Sequence, residues 1–308
     1  MKASFIRRHG GPEVLEYGEL PDPVAKAGEV IVDIHAASVN GADWKVREGG
    51  YGSDTQFPYV LGRDFSGIVS ALGAGVSDLK IGDEVFGVCA AGQEGAYAEK
   101  IAIAASIVTK KSASMTHVQA AALALAGLTA LVSVEDTLKL QPGETIFIQG
   151  GAGGVASFAI QLAKHIGAKV ITTASAANHD FLHKLGADEI IDYHTQDFTR
   201  MVKNCDAVFD TVGGDPALAT FGILKPGGRA AFIASGGKAP VSPRADVQSL
   251  RPQVGRDRAH LDRISELFTK GAIAPPEVKL YTLAEAEAAH RISEGRHLRG
   301  KLVFQVRP

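Results

Sequence analysis

The sequence predicts an α/β protein with two domains, one mostly β and the other built on a doubly wound parallel sheet. The chain has 308 residues, more than one core usually serves, and 45% of them are hydrophobic. The first hundred residues consist of strands and turns with little helical periodicity. From about Ser114 onward, short apolar strands alternate with amphipathic helices, which is typical of a parallel sheet.

Composition and charge exclude several classes of protein. The formal net charge of −2 provides no electrostatic attraction to nucleic acid or to an anionic membrane, so neither partner is expected. Cys89 and Cys205 are far apart, which indicates no disulfide framework and favours a reducing, cytoplasmic location. The N-terminus lacks the apolar core of a signal peptide. The apolar segment 120–134 is too short to span a membrane and predicts a buried helix.

The mostly β domain is predicted to be discontinuous in sequence. Strands are expected at 29–36, 66–72 and near 82–87, with glycines at the turns. The C-terminal region predicts helices at 257–270 and 283–294 and an apolar strand at 301–306. A lone terminal strand must pair, and the N-terminal domain is its expected host. We therefore predict one domain from residues 1–115 and 272–308 and the other from residues 116–271.

In the second domain, a helix follows a short buried strand at 145–149. Strands are also expected at 169–173, 189–192, 206–210 and 229–234, with a further helix ending near Leu185. Apolar residues with helical spacing begin at Val155, and Gly167 closes that helix. The residues on its apolar face are Val155, Phe158, Ala159, Leu162, Ala163 and Ile166.

A glycine-rich loop between this strand and helix predicts a dinucleotide site. Gly151, Gly153 and Ala156 fit the pattern G-x-G-x-x-G/A. Gly151 permits the tight turn, Gly153 lets a pyrophosphate approach, and Ala156 allows close packing of the helix. The helix N-terminus attracts the phosphates. A tight turn without ligand does not explain the unbroken run of small residues. The predicted contacts are Gly151, Ala152, Gly153, Gly154 and Val155.

The end of the next strand predicts NADP(H) rather than NAD(H) as the cofactor. NAD-binding proteins usually carry a carboxylate there for the ribose diol, and residues 172–179 contain none. Ser175 can donate a hydrogen bond to a phosphorylated ribose, although no Lys or Arg is adjacent. The predicted contacts in this region are Thr173, Ala174, Ser175, Asn178 and Tyr193, with His179 as a further candidate.

Several segments together resemble the medium-chain dehydrogenase/reductase superfamily, in its zinc-free quinone oxidoreductase branch, to which zeta-crystallin belongs. The resemblance runs from the first strand to the last and implies a GroES-like β domain, a Rossmann domain and an active-site cleft between them. It also implies a homodimer, often formed through the Rossmann sheets. The segments that carry it are ASVNGADWK (37–45), PYVLGRDFSG (58–67), AGLTA (126–130), the glycine loop, DTVGG (210–214), LKPGG (224–228) and GKLV (300–303).

One departure from the wider superfamily indicates that no metal is bound. Zinc alcohol dehydrogenases place a Cys ligand near Asp43 and a His ligand near Arg63, and this chain has neither. The cysteine-rich lobe that follows Gly87 in those enzymes is also missing, since only Cys89 lies there. A catalytic zinc needs about three protein ligands and an open position. His9 and His35 are more simply surface or strand residues.

Without zinc, the expected chemistry is hydride delivery from NADPH to an electrophilic acceptor, either a quinone or an α,β-unsaturated carbonyl. The resemblance implies three catalytic residues. Asn40 would lie near the nicotinamide ribose or substrate, Lys45 would donate to the substrate carbonyl, and Tyr51 would donate a hydrogen bond or a proton. The alternatives are a turn former for Asn40, a solvated surface lysine for Lys45 and a cleft wall for Tyr51. Asp43 is expected to orient its loop.

The resemblance implies further cofactor contacts at strand ends. Thr129 would meet the nicotinamide side, and Asp210 would cap its strand end. Arg299 or Lys301 enters the last strand or touches the cleft. The remaining predicted contacts are Thr211, Val212, Gly213, Ala234 and Ser235.

Two other functions remain open: a zinc-free alcohol or aldehyde dehydrogenase using the same site, and a non-catalytic NADPH-binding protein.

Overall fold

The structure, a computed structural model, describes residues 1–50, 55–90, 92–275 and 277–308. Its contacts divide the chain into two units, each of which is described by itself. The first unit comprises Met1–Ala126, Arg256–Thr269 and Glu277–Pro308. The second comprises Gly127–Gly255 and Lys270–Pro276.

The strands and helices are numbered in chain order. The strands are β1 (Lys2–Ile6), β2 (Leu15–Glu19), β3 (Glu29–Val39), β4 (Tyr59–Val60), β5 (Asp64–Leu72), β6 (Glu84–Val88), β7 (Lys100–Ala104), β8 (Val108–Lys110), β9 (Thr145–Gln149), β10 (Lys169–Ala174), β11 (Glu189–Asp192), β12 (Cys205–Asp210), β13 (Leu224–Phe232), β14 (Gln248–Leu250), β15 (Val278–Tyr281) and β16 (Lys301–Gln305). The α-helices are α1 (Gly41–Arg47), α2 (His117–Leu131), α3 (Gly154–Ile166), α4 (His179–Lys184), α5 (Phe198–Met201), α6 (Gly214–Ala219), α7 (Arg258–Thr269) and α8 (Ala286–Glu294).

The first unit is built around a mixed, mostly antiparallel sheet with the strand order β15-β16-β3-β5-β6-β8, with β7 also paired to β3. A second sheet has the order β2-β1-β4. The long strand β3 alternates its buried side chains, including Val30, Val32 and Ile34, into the core of the unit. These β-branched residues favour an extended backbone and pack well on a pleated surface.

The C-terminal strand belongs to the first unit, as predicted. Strand β16 pairs antiparallel with β3, so that Leu302 lies opposite Val39 and Phe304 opposite Ala37. Leu302 and Phe304 are fully buried. The last strand of the chain therefore completes a sheet whose other strands come mostly from the first 110 residues.

Helix α7 lies with the first unit, whereas the sequence-based boundaries put its residues in the second. Side-chain contacts of Arg258 explain this placement. Its guanidinium donates through Nε to the Val108 carbonyl at 2.8 Å and through Nη2 to the Ala105 carbonyl, and it pairs with Asp78. These contacts tie the start of α7 to the β7–β8 region.

The second unit contains a six-stranded parallel sheet in the order β11-β10-β9-β12-β13-β14. The strands predicted at 145–149 and 189–192 are confirmed with the same bounds, and the others differ at their ends. The largest difference is β13, which begins at Leu224 and ends at Phe232. Ala234 and Ser235 therefore lie just beyond this strand rather than at its last residues.

Helix α1 is an element that periodicity did not predict, because it has only seven residues. A capping box at its N-terminus stabilises the start of this helix. The Asn40 backbone N–H donates to the Asp43 carboxylate at 2.8 Å, and the Asp43 N–H donates to the Asn40 carbonyl at 3.0 Å. Such reciprocal bonds satisfy backbone groups that a helix start leaves unpaired.

Helix α2 and the π-helical turn Val132–Thr137 form the apolar segment predicted as a buried helix. Among the described residues, this is the one helix long and apolar enough by length and composition to cross a membrane. Within the structure, 78% of the most apolar stretch of this helix is buried. Cys89 and Cys205 are both buried free thiols.

Candidate active site

The glycine loop of the second unit joins β9 to α3 and leaves the start of that helix open. Gly153 is the N-cap residue, and no described side chain bonds to the free N–H groups of the first turn. With thirteen residues, α3 has a dipole whose positive end favours an anion. The predicted contacts lie in this loop and first turn: Gly151, Ala152, Gly153, Gly154 and Val155.

Two glycines in the loop are needed for different reasons. Gly150 has a φ of +74°, a left-handed conformation that favours glycine. Gly151 lacks a positive φ, but a Cβ there would lie 2.3 Å from Oγ1 of Thr172 on β10. The assignment of the tight turn to Gly151 is therefore wrong by one residue. Gly150 makes the turn, and Gly151 permits the loop to approach the neighbouring strand.

The parallel sheet brings other predicted cofactor residues to one edge. Ser175 follows β10, Tyr193 follows β11, Thr211 follows β12 and Ala234 lies beyond β13. Because the carboxyl ends of parallel strands lie at the same edge, these residues share that edge with the glycine loop. Their direct contact with a cofactor stays a prediction.

The end of β12 is organised by the buried carboxylate of Asp210. It accepts hydrogen bonds from the backbone N–H groups of Gly213 at 3.0 Å and Val212 at 3.2 Å. Burial raises the pKa of Asp210, and these two hydrogen bonds oppose the rise. Thr211 donates through Oγ1 to the Gln149 carbonyl at 2.7 Å, which joins the ends of β12 and β9. Asp210 thus caps its strand end, as expected.

The end of β10 carries hydroxyl and amide groups near one another. Asn178 donates through Nδ2 to Ser175 Oγ at 3.0 Å, and the Gly150 N–H donates to Thr173 Oγ1 at 3.1 Å. Ala174 is the last residue of this strand. Tyr193, which follows β11 at the same edge, is 47% exposed.

Two of the predicted cofactor-binding residues form hydrogen bonds within the protein. Ser235 donates through Oγ to the Lys238 carbonyl at 2.8 Å. Thr129 lies within α2, and its carbonyl accepts from Ser133 Oγ at 2.6 Å. Their roles as cofactor contacts stay predictions.

The residues at this edge fit a dinucleotide. Gln149 ends β9, and its buried Oε1 has no hydrogen-bond partner among the residues that the structure describes. An unsatisfied buried acceptor costs about 1–3 kcal/mol, and the hydroxyl or amide groups of a dinucleotide can donate to it. The uncapped helix and the glycine loop suit a pyrophosphate, and the absence of a carboxylate in residues 172–179 suits a phosphorylated ribose.

In the first unit, the predicted catalytic residue Asn40 is held between two buried charges. Its Oδ1 accepts from Lys301 Nζ at 2.8 Å, and its Nδ2 donates to Asp64 Oδ1 at 2.9 Å. Ser38 donates through Oγ to Asp64 at 2.8 Å. Burial raises the pKa of Asp64 and lowers that of Lys301, and the two opposite charges counteract both shifts.

Asp43 connects α1 to a chain of buried polar groups. Tyr97 donates through its hydroxyl to Asp43 Oδ2 at 2.7 Å, and His290 Nε2 lies 3.3 Å from that hydroxyl. Arg47 donates to His290 Nδ1 at 3.1 Å. Burial, followed by the nearby charge of Glu94, raises the pKa of Asp43 to about 8. Burial and the Arg47 charge lower the pKa of His290 to about 3.

Arg63 and Glu94 form an ion pair beside Asp43. Arg63 Nε donates to Glu94 Oε1 at 2.6 Å, and Nε lies 4.0 Å from Asp43 Oδ1. The second carboxylate oxygen of Glu94 accepts from the Gly62 N–H at 3.1 Å. Both charged side chains of this pair are thus held beside the start of α1.

Of the other two predicted catalytic residues, the structure describes one. Lys45 lies on α1, with Nζ 5.5 Å from the centre of the Trp44 ring, which is a cation–π distance. Tyr51 lies outside the described residues, so its predicted role is untested.

Among the described residues, no group of three or more His, Cys, Asp or Glu side chains could hold a metal ion. His35 lies in β3 and stacks on His117.

Several residues of this site were not predicted. Asp64, Glu94 and Tyr97 carried no motif that assigned them chemistry, although Asp64 and Arg63 lie in the segment PYVLGRDFSG that supports the family resemblance. Asp64 is the first residue of β5 and is followed by Phe65, and a carboxylate in such an apolar strand is a signal of a paired, buried charge. Glu94 and Tyr97 carry no comparable signal, because only the fold brings them beside Asp43.

The fold and these two groups of residues define a dinucleotide-dependent oxidoreductase. Family models agree: an alcohol dehydrogenase GroES-like domain matches residues 26–123, and a zinc-binding dehydrogenase domain matches residues 185–304. A quinone oxidoreductase from Coxiella burnetii is 34% identical, with a TM-score of 0.92 and coverage of 100% of this chain and 99% of that one. The chain belongs to the medium-chain dehydrogenase/reductase superfamily, in the zeta-crystallin-like quinone oxidoreductase branch.

Two further relatives are similar over most of the chain. The Escherichia coli quinone oxidoreductase, solved in complex with NADPH, is 29% identical, with a TM-score of 0.90 and coverage of 99% of this chain and 100% of that one. The chloroplastic NADPH-dependent alkenal/one oxidoreductase of Arabidopsis thaliana is 35% identical over 240 residues, which are 74% of this chain and 61% of that protein.

Proposed function

We propose that this protein is an NADPH-dependent reductase that transfers a hydride to quinones or α,β-unsaturated carbonyls without zinc. The observation that carries the proposal is the carboxyl edge of the second unit. There an uncapped helix start, a glycine loop and a strand end without a carboxylate suit NADPH. The quinone reductase and the alkenal/one reductase among the relatives support the same acceptors.

In this proposal, residues of the chain bind the cofactor, orient the reacting groups and polarise the acceptor. The loop from Gly150 to Gly153 and the first turn of α3 hold the pyrophosphate, and Ser175 meets the ribose phosphate. NADPH, when bound, supplies a hydride. Asn40 is oriented by Lys301 and Asp64, so its amide has one fixed direction. Because catalysis depends on groups that are positioned before the reaction, this rigidity favours a site role for Asn40.

The first experiment follows NADPH and NADH oxidation with 1,4-benzoquinone, 9,10-phenanthrenequinone and a short enone, with and without a metal chelator. We expect turnover that resists the chelator and favours NADPH. Tight NADPH binding without turnover would instead indicate a binding protein or a different acceptor. Loss of activity in the chelator would contradict zinc independence, and activity with alcohols alone would favour the alcohol dehydrogenase alternative.

Assembly and location are part of the proposal. We propose a homodimer, on the family resemblance, and a cytoplasmic location, on the two unpaired cysteines. Light scattering with size-exclusion chromatography tests the first. Imaging of the tagged full chain tests the second, and an organelle location would contradict it.

A further inference from the structure

Gln149 is a buried polar residue at the end of β9 whose side-chain oxygen is unpaired. The residue is 3% exposed, and its Oε1 has no hydrogen-bond partner among the residues that the structure describes. A glutamine amide donates through Nε2 and accepts through Oε1, and a buried amide is normally paired. This oxygen therefore needs a donor that the described chain does not supply.

The neighbouring polar side chains are committed to other partners. Thr172 on β10 donates through Oγ1 to the Ile148 carbonyl at 2.6 Å, and Thr211 donates through Oγ1 to the Gln149 backbone carbonyl at 2.7 Å. Asp210, which lies opposite Gln149 on β12, accepts hydrogen bonds from two backbone N–H groups, and these favour its ionised form. An ionised carboxylate only accepts, so none of these three side chains offers a donor to the amide oxygen.

Gln149 also lies where the strand order of the parallel sheet reverses. From β9 the sheet extends through β10 and β11 on one side, and through β12, β13 and β14 on the other. In sheets of this kind, ligands bind beyond the carboxyl ends of the two strands that flank the reversal. Those strands are β9 and β12, which end at Gln149 and Asp210, and these two residues are paired in register.

The part of a dinucleotide that meets Gln149 follows from its neighbours. Directly after Gln149, the loop Gly150–Gly153 and the start of α3 suit the pyrophosphate. The adenosine half belongs toward β10, where Ser175 is assigned to the ribose phosphate. The other half therefore leaves the pyrophosphate on the side of β12, and its first group is the second ribose. Ribose hydroxyls both donate and accept, which matches a glutamine amide.

We propose that Gln149 is a cofactor-binding residue whose amide forms hydrogen bonds with the hydroxyl groups of the ribose that carries the nicotinamide. The inference rests on the proposed function and adds to it the side chain that recognises this half of NADPH. One ribose hydroxyl donates to Oε1 and satisfies the buried oxygen, and Nε2 donates to a ribose hydroxyl oxygen.

Calorimetric titration with three ligands tests the assignment. NADP⁺ and 2′-phospho-ADP-ribose both carry the second ribose, whereas 2′-phospho-ADP has the same adenosine and pyrophosphate without it. In Gln149→Met, whose side chain has a similar length, the Kd for the first two ligands should rise about tenfold, as expected for one lost buried hydrogen bond. The Kd for 2′-phospho-ADP should not change. Gln248→Met, at an exposed glutamine that begins β14, is the control and should bind all three ligands like the wild type.

Thermal unfolding without added ligand distinguishes binding from a structural role. An apolar side chain in place of an unsatisfied buried amide removes the cost of burying that amide. The Tm of Gln149→Met should therefore equal that of the wild type or exceed it by about 2–4 °C. If Gln149 merely supported the fold, the Tm and the affinity for all three ligands would fall together.

The outcomes separate this inference from the proposed function. If the wild type binds none of the three ligands, the proposed function fails and the inference fails with it. If the wild type binds NADP⁺ and Gln149→Met binds it equally well, only the role of Gln149 is overturned. The same holds if Gln149→Met loses affinity for 2′-phospho-ADP to the same extent as for NADP⁺. Should Gln149→Met not fold, Gln149→Leu takes its place with the same expectations.

Discussion

At the scale of single residues, hydrogen bonds link several buried polar groups of the first unit in a defined direction. Arg47 donates to His290 Nδ1, so the other ring nitrogen carries the proton and donates to Tyr97, which donates to Asp43. The low pKa of His290 keeps its ring neutral at ordinary pH. Burying a polar group without a partner costs free energy, which favours such a continuous chain, and Asp43 Oδ1 is the atom at its end with no hydrogen-bond partner among the described residues.

Asp43 gives a prediction for the pH dependence of stability. Its pKa is about 8 in the folded protein against an ordinary value of 3.8, so the folded state holds the proton more tightly. The stability contributed by this group is present below the unfolded pKa and is lost as pH rises through the folded pKa. The free energy of unfolding of the wild type, relative to Asp43→Asn, should therefore fall between pH of about 4 and about 8.

Urea unfolding of both proteins across this range measures the difference, in which other titrating groups largely cancel. Tyr193→Phe, a change at an exposed tyrosine, serves as a control that should leave the pH dependence unchanged. A difference that grows with pH would mean that Asp43 is ionised in the folded protein.

At the scale of elements, the strand–loop–helix unit from β9 to α3 has a geometry that depends on its glycines. A Cβ at Gly151 would meet Thr172 Oγ1 at 2.3 Å, and Thr172 donates through that oxygen to the Ile148 carbonyl at 2.6 Å. The loop is itself bonded to β10, because the Gly151 N–H donates to the Thr173 carbonyl at 3.0 Å. The position of the glycine loop is therefore set by the neighbouring strands of the sheet.

The variant Gly151→Ala should lose stability and NADPH affinity together. Overpacking at a buried site typically costs about 1–3 kcal/mol, and the displaced loop should weaken NADPH binding. Gly222→Ala is the control, because a Cβ there meets nothing within 4 Å. Adding Thr172→Ala to Gly151→Ala should recover part of the affinity, since the clashing oxygen is removed. Thermal unfolding and NADPH titration measure both effects, and unaltered affinity in Gly151→Ala would contradict this reason for the glycine.

At the scale of the whole molecule, the first unit is completed by two segments late in the sequence, Arg256–Thr269 and Glu277–Pro308. Strand β16 pairs with β3 and contributes Phe304, whose ring lies 4.6 Å from that of Tyr97. The folding of the first unit therefore depends on residues nearly 300 positions away from its first strand. Contacts of such long sequence separation make folding slower.

The variant Phe304→Asp should prevent the first unit from folding properly. Phe304 is fully buried, and an unpaired carboxylate there costs several kcal/mol. Gln305→Asp, on the exposed neighbouring residue of the same strand, should fold normally. Soluble yield and near-ultraviolet circular dichroism distinguish the two. A folded Phe304→Asp protein with wild-type stability would contradict the role of β16 in the core.

The sequence by itself determined the α/β class, the alternating strands of the second unit, the glycine loop and the return of the last strand. These follow from short-range patterns: apolar periodicity, turn residues and a phosphate-binding motif. Only the tertiary structure decided that Gly150 rather than Gly151 makes the turn, that α7 lies with the first unit and that Arg63, Glu94 and Tyr97 surround Asp43. Those features depend on backbone approach and on charges brought together across long sequence separations, and no local pattern encodes them.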